Sequence, residues 1–466
     1  MTPGSTSARS PAPAVSPVVD NAIATYYEAI REAIGLCRPR PGAGFDPGFE
    51  LPELDDRMRE LFAPSGLGAA ELPPYGDCSL RLLNLMRNPG TRTTKTFASL
   101  LMVARAVRWI RSTGEPIMIL TPTSGNKGTA LRDAVQRALE LGLVSAEQLR
   151  IVTIVPRSSL PKLWSSALSE DPDLRRRNPV LLYDGPDPEA VKALGRELAT
   201  DWADEFRERF GLNVWYTLDL DNYRVADSIR AYFEHEWLPA PDGRVRVHAH
   251  AVSSAYGLLG YHLGRQVLAQ GGTVGPDPQL FLVQHLAAPD MVLSLRFGEF
   301  ARDNMPRYAL DDLTGLYVQS DDPSFPSTAY ALDESIDSTF YTHEPPTSEL
   351  IDAIVDRQGG AGVVVSLHEC LSRYGAIRRL VPSDEVRLPS DPRLLREWAL
   401  VMVLTGVMNG IDRGLVPSGA DVVVHASGSY WQADFTQLDP GDTVPVHRAE
   451  DVERAVLEAA GAPVGG

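Results

Sequence analysis

Short apolar runs alternate with stretches of helical period along most of this chain, and that alternation limits the folds open to it. Strands are expected at 116–120, 150–155, 180–183 and 213–216, with helices at 96–112, 130–139, 162–168, 188–210 and 222–236. A second block adds strands at 244–252, 362–367 and from Asp421, and helices at 348–357 and 394–408. Repeated strand and helix units build parallel sheets with helices on their faces, and ligands gather beyond the carboxyl ends of such strands. A chain of 466 residues is long for one core, so two α/β domains are expected.

Chemistry concentrates around Arg87-Asn88-Pro89-Gly90-Thr91-Arg92-Thr93-Thr94-Lys95 and, about thirty residues on, Thr123-Ser124-Gly125-Asn126-Lys127-Gly128. Of 44 basic residues only Lys95, Lys127, Lys162 and Lys192 are lysines. Arginine stays protonated and forms no imine, whereas a desolvated lysine amine can lose its proton and attack an aldehyde. Lys95 falls at the start of an expected helix running to about Ser112. The loop from Thr121 to Asn126 lies between an apolar strand and a helix start, where unpaired backbone N–H groups face whatever lies beyond the strand.

These two segments resemble the signature of pyridoxal-phosphate (PLP) enzymes of the tryptophan-synthase-β type, fold type II, and within them threonine synthase. The resemblance runs from about residue 87 to 430 and is specific at Lys95 and at 124–128. It implies a tryptophan-synthase-β-like fold of two domains with parallel-rich twisted sheets flanked by helices. The expected division is a larger cofactor domain of 18–115 and 237–466, and a smaller α/β domain of 116–236. It makes Lys95 the imine lysine and proton shuttle, Asn126 a cofactor contact, and Thr123, Ser124 and Gly125 substrate contacts.

Threonine synthases bind the cofactor phosphate with a Thr-Gly-Asn-Phe-Gly loop, whose counterpart here is Ser253-Ser254-Ala255-Tyr256-Gly257, with only the last glycine identical. Backbone N–H groups and hydroxyls at such a turn suffice for a phosphate. Arg224 falls where a substrate phosphate or carboxylate could be held, or pairs with Asp221 or Asp227. The hydroxyl expected at the pyridine nitrogen falls near His425, with Ser427 and Ser429 just after; His425 also reads as a core histidine. Bland readings stand beside these, since a lysine at a helix start is commonly solvated and Thr-Ser-Gly-Asn is an ordinary turn.

A net charge of −17 speaks against nucleic acid as partner. Cys37, Cys78 and Cys370 are odd in number and widely spaced, which fits a reduced, cytoplasmic protein without structural zinc. No apolar run is long enough for a membrane span, and residues 1–17 read as a disordered tail. The poorly patterned stretch 296–346 reads as a lid or substrate loop. The expected function is threonine-synthase-like elimination or replacement at the β or γ carbon of an amino acid, with a phosphorylated hydroxy-amino acid as the expected substrate, in a cytoplasmic homodimer; because the phosphate loop is altered, an enzyme of specialised metabolism acting on a modified substrate stands equal to a housekeeping threonine synthase. A β-eliminating dehydratase or β-replacing synthase is the alternative, and a non-catalytic binding or scaffold protein is the competing class.

Overall fold

The computed structural model describes residues 16–37, 44–241, 243–272, 274–337 and 342–461. Most of the expected tail, residues 1–15, and part of the Pro/Gly-rich connection, 38–43, lie outside the described residues. Six elements carry the site: the helix Lys95–Thr113 (α1), the strand Ile117–Pro122 (β1), the helix Asn126–Glu140 (α2), the strand Arg246–Ala251 (β2), the helix Tyr256–Gln270 (α3) and the strand Asp421–Ala426 (β3).

Among the described residues the larger sheet has seven strands, in the order Val18–Val19, Gly66–Tyr75, Cys78–Arg87, β3, β2, Gln279–His285 and Gly360–Val365. The first three pair antiparallel and the rest parallel. The smaller sheet has five strands, all parallel, in the order Val444–Val446, Val180–Tyr183, Leu149–Pro156, β1 and Asn213–Tyr216.

Every residue of β1 and of β3 is buried, as expected of parallel strands covered on both faces. In β3 the side chains divide by alternation: Val422 and Val424 join one core with Leu400 and Leu404, and Val423 joins the other with Phe97 and Leu100. Helix α1 is buried over most of its length and stops where Gly114 turns left-handed at φ 76°.

Several expectations are corrected, among them the helix over 394–408, which starts only at Ala399 because Leu395–Glu397 pairs as a strand with Tyr430–Trp431. The expected helix over 162–168 is extended chain after the 3-10 turn Arg157–Lys162, because Leu163 and Ser165 spend their backbone groups on Leu438 and Thr436 and Trp164 bridges to Gln437; only Ala167 and Leu168 are helical, in the short helix Ala167–Glu170. The expected helices over 188–210 and 222–236 are each two helices, interrupted at Trp202 and Ser228. Finally, Val444–Val446 pairs with Val180–Tyr183, so part of the segment expected in the larger domain belongs to the smaller sheet.

Candidate functional site

The carboxyl ends of β1, β2 and β3 converge on a cavity of about 240 Å3. One water needs only about 10–15 Å3 of such space, so the cavity is ligand-sized. Lys95, Lys127, Lys162 and Lys192, every lysine of the chain, line it.

Lys95 starts α1 and is half-buried, opening on the cavity. Its Nζ sits 5.3 Å from the ring centroid of Tyr223, which stacks on Tyr256 with centroids 5.0 Å apart. Burial pushes the Lys95 amine below the usual lysine value, against the pull of Asp227 and with the help of Arg230. An amine so placed is readily deprotonated and becomes a nucleophile.

Thr123, Ser124 and Asn126 line the cavity at the start of α2, and Gly125 turns between them at φ 119°. The hydroxyl of Thr123 accepts from the backbone N–H groups of Gly125 and Gly128, both at 3.0 Å, which fixes the loop. Asn126 donates to Glu397 at 2.5 Å and accepts from the Tyr430 hydroxyl at 2.7 Å. Glu397 also accepts from Lys162 at 2.7 Å, and Lys162 reaches Asp337 at 3.0 Å. Burial would raise the Glu397 carboxyl, but Lys162 and Asn126 hold it below the usual range.

Ser253, Ser254, Ala255, Tyr256 and Gly257 line the opposite wall, where Ala255, left-handed at φ 50°, caps the 15-residue helix α3. Such an N-terminus presents unpaired N–H groups and a positive dipole end, a ready anion cradle. A side chain on Gly257 would meet the Arg230 guanidinium at 2.6 Å, so the glycine lets this arginine lie against the cradle. Arg230 is fully buried, paired with Asp227 at 2.5 Å, and donates to the Thr94 hydroxyl at 2.9 Å.

Behind Arg230 runs a buried polar chain. Arg230 meets His425 at 3.0 Å, His425 meets His248 at 2.7 Å, and His248 meets Glu234 at 3.1 Å. Tyr261 donates to the same carboxylate, and Arg246 joins it to Asp421. His425 therefore lies one layer behind the cavity wall and does not line it, whereas Ser427 does. Burial, then His248, Arg230 and His250, push His425 well below the usual histidine value. Arg224 does not line the cavity either; it pairs with Asp221 at 2.9 Å, the second of the two readings its sequence allowed.

Several lining residues went unread in the sequence: Lys127, Lys162, Lys192, Arg230, His250 and Glu397. The scarcity of lysine was the signal for the first three. Nothing marks Arg230 among so many arginines, or Glu397 among 61 acidic residues. From the irregular stretch 296–346, Asp337 and Thr342 reach the cavity, and Thr342 donates its N–H to Ser253 at 3.1 Å.

No curated protein matches this chain. Among solved structures it is similar to a PLP-bound threonine synthase from Brucella melitensis, with 15% identity, 94% of this chain and 85% of that one covered, and a TM-score of 0.50. It also matches a fungal L-serine ammonia-lyase from Rhizomucor miehei at 14% identity, covering 85% and 95%, with a TM-score of 0.45. A third match is the processed threonine deaminase isoform 2 from Solanum lycopersicum at 13% identity, covering 88% and 90%, with a TM-score of 0.44. The first likeness shows the fold, a two-sheet α/β architecture of the tryptophan-synthase-β type. A family model matches residues 18–460, and the chain belongs to that family, described as a family of unknown function (DUF6002).

Proposed function

We infer that the cavity binds pyridoxal phosphate and an amino acid, and that the protein catalyses elimination or replacement at the β or γ carbon of that amino acid. The observation that carries this reading is the single cavity in which a desolvated Lys95 amine lies between the Thr123–Asn126 loop and the α3 cradle. The residues fit the cofactor: Lys95 would hold it covalently, while Ser253, Ser254 and the first turn of α3 would hold its phosphate. The cradle departs from the family loop by lacking its Gly-Asn, and Arg230 against Gly257 supplies a cation nearby.

Bound there, the cofactor supplies an electron sink for the substrate's α-carbon. Lys95 then serves as the base that takes the α-proton and returns it elsewhere on the substrate. Thr123, Ser124 and Gly125 orient the substrate, and the ring of Tyr223 shields the amine from water. Ser427, the residue after β3, would offer its hydroxyl to the cofactor's ring nitrogen, while His425, one layer back, braces Arg230. A hydroxyl partner leaves the ring less electron-withdrawing than a carboxylate would and favours elimination or replacement over transamination.

On the same reading the substrate is a phosphorylated hydroxy-amino acid, in a threonine-synthase-like reaction of a cytoplasmic homodimer. Products formed from phosphohomoserine, phosphoserine and phosphothreonine separate γ from β chemistry. The test of the cofactor comes first. Purified protein mixed with PLP should gain a visible absorption band, and borohydride should fix one adduct, on Lys95. The Lys95→Ala protein should gain neither; an adduct that persists on another residue would overturn the assignment.

A further inference from the structure

Arg230 is a charge held where water does not reach. Its guanidinium is fully buried, and an ion is kept in such a place only where its donors find partners. Asp227 accepts from Nε at 2.9 Å, the Thr94 hydroxyl accepts from Nη2 at 2.9 Å, and His425 meets Nη1 at 3.0 Å. These bonds set one side chain between two helix starts. Thr94 directly precedes Lys95, and its own backbone N–H donates to the Ser427 carbonyl at 2.8 Å. On the other side Arg230 fills the space that a Gly257 side chain would need, with both terminal nitrogens 2.6 Å from that position.

The hydrogen bonds behind Arg230 run in one direction. A guanidinium only donates, so Nδ1 of His425 accepts and the ring hydrogen sits on Nε2. That hydrogen goes to Nδ1 of His248, which leaves the His248 hydrogen on Nε2, facing Glu234. Glu234 thus fixes the orientation of Arg230 through two neutral rings.

We propose that Arg230 is a positioning residue for Lys95: held by the chain from Glu234, it clips the start of α1 to the start of α3 and keeps a positive charge beside the Lys95 amine. The proposal rests on reading Lys95 as the imine lysine, and it gives His425 a task that involves no contact with a ligand. Asp227 and Glu397 favour the proton on Lys95 and Arg230 opposes it; Lys127, His250 and Tyr223 also face the amine. Removing Arg230 deletes the opposing charge and frees Asp227 to pair with the amine, which then holds its proton to higher pH.

The test titrates Lys95 in protein free of cofactor. Acetylation by acetic anhydride across a range of pH is mapped by mass spectrometry at each of the four lysines, with Lys192 as the internal reference. Arg230→Met should raise the Lys95 midpoint by about one pH unit or more, a tenfold change in acid constant, with no change at Lys192. His425→Leu, which removes the acceptor of Nη1, should move it the same way by a smaller step. His425→Gln should restore the wild-type midpoint, because the Gln oxygen accepts from Arg230 and its amide donates to His248. A Lys95 midpoint unmoved by Arg230→Met, or moved equally by His425→Leu and His425→Gln, overturns the proposal, as does a matching shift at Lys192, which marks general loosening. Should Arg230→Met fail to fold, the two His425 variants decide alone. Failure of the wild-type protein to form a borohydride-fixed PLP adduct sinks the reading of Lys95 as the imine lysine instead, and the cofactor-free titration is independent of that result.

Discussion

Glu234 is the residue on which the buried polar chain behind the cavity ends. Burial alone would raise its carboxyl, but His248, Arg246 and Tyr261 outweigh it and hold the value down to about 2 against an ordinary 4.5. A carboxyl held below its unfolded value adds stability that is fully present above 4.5 and is lost as pH falls toward 2, here roughly 3 kcal/mol. His285 adds an earlier acid limit. Burial lowers it to about 4 from 6.5, so its contribution is present above 6.5 and lost as pH falls toward 4. Unfolding free energy should therefore decline from pH 6.5 downward, before the carboxylates titrate. His285→Gln should flatten the decline between 6.5 and 4 in urea titrations; an unchanged slope would count against this account. Glu234→Gln should cost about 3 kcal/mol or more, since it removes a buried counter-charge of Arg246 and weakens the hydrogen bonds of His248 and Tyr261.

At the scale of elements, the two loops that face each other across the cavity depend on glycines with no room to spare. Gly125 stands at φ 119°, where a side chain would also meet Lys162 Cβ at 2.9 Å. Gly125→Ala should cost about 1–3 kcal/mol in thermal unfolding and weaken cofactor uptake, because the strain is released by moving the start of α2. Gly257→Ala should displace Arg230 and weaken PLP binding more than that of pyridoxal, which has no phosphate; equal loss for both would remove Arg230 from the cradle's account.

The same elements show what the sequence could reveal. The strands Val180–Tyr183 and Asn213–Tyr216 were readable because buried parallel strands are continuous apolar runs between turns. Gly66–Tyr75 was not, because its Gly, Ala and Pro residues carry no strand preference, and it forms through pairing with Val18–Val19 and Cys78–Arg87. Lys95 and Asn126 were legible from local motif, but Arg230 and Glu397 reach the cavity only through tertiary packing.

Across the whole molecule, the cavity is closed by contacts between chain segments far apart in sequence. Lys162 follows the strand Leu149–Pro156 of the smaller sheet, whereas Glu397 precedes the helix Ala399–Asp412, which packs on the larger one. Their ion pair, with Asp337 and Asn126, is buried, and Tyr430 and Trp164 pack edge to face beside it with centroids 5.3 Å apart. Breaking one partner of a buried ionic cluster costs about 3–5 kcal/mol, and the remaining Asp337 reduces that here to roughly 2–3 kcal/mol. The charge cluster therefore couples the two sheets as well as shaping the cavity. Trp215 lies in the core at α1 and the smaller sheet and Trp398 in the core of the larger, so tryptophan fluorescence and circular dichroism report on both. Wild-type protein should unfold in denaturant with coincident transitions, as a cooperative unit does. Glu397→Ala should lower the midpoint and separate the two signals, the smaller sheet unfolding first because its link to the larger has been cut. Transitions that shift together without separating would mean that the cluster serves the cavity alone and that the sheets are coupled through their apolar contacts.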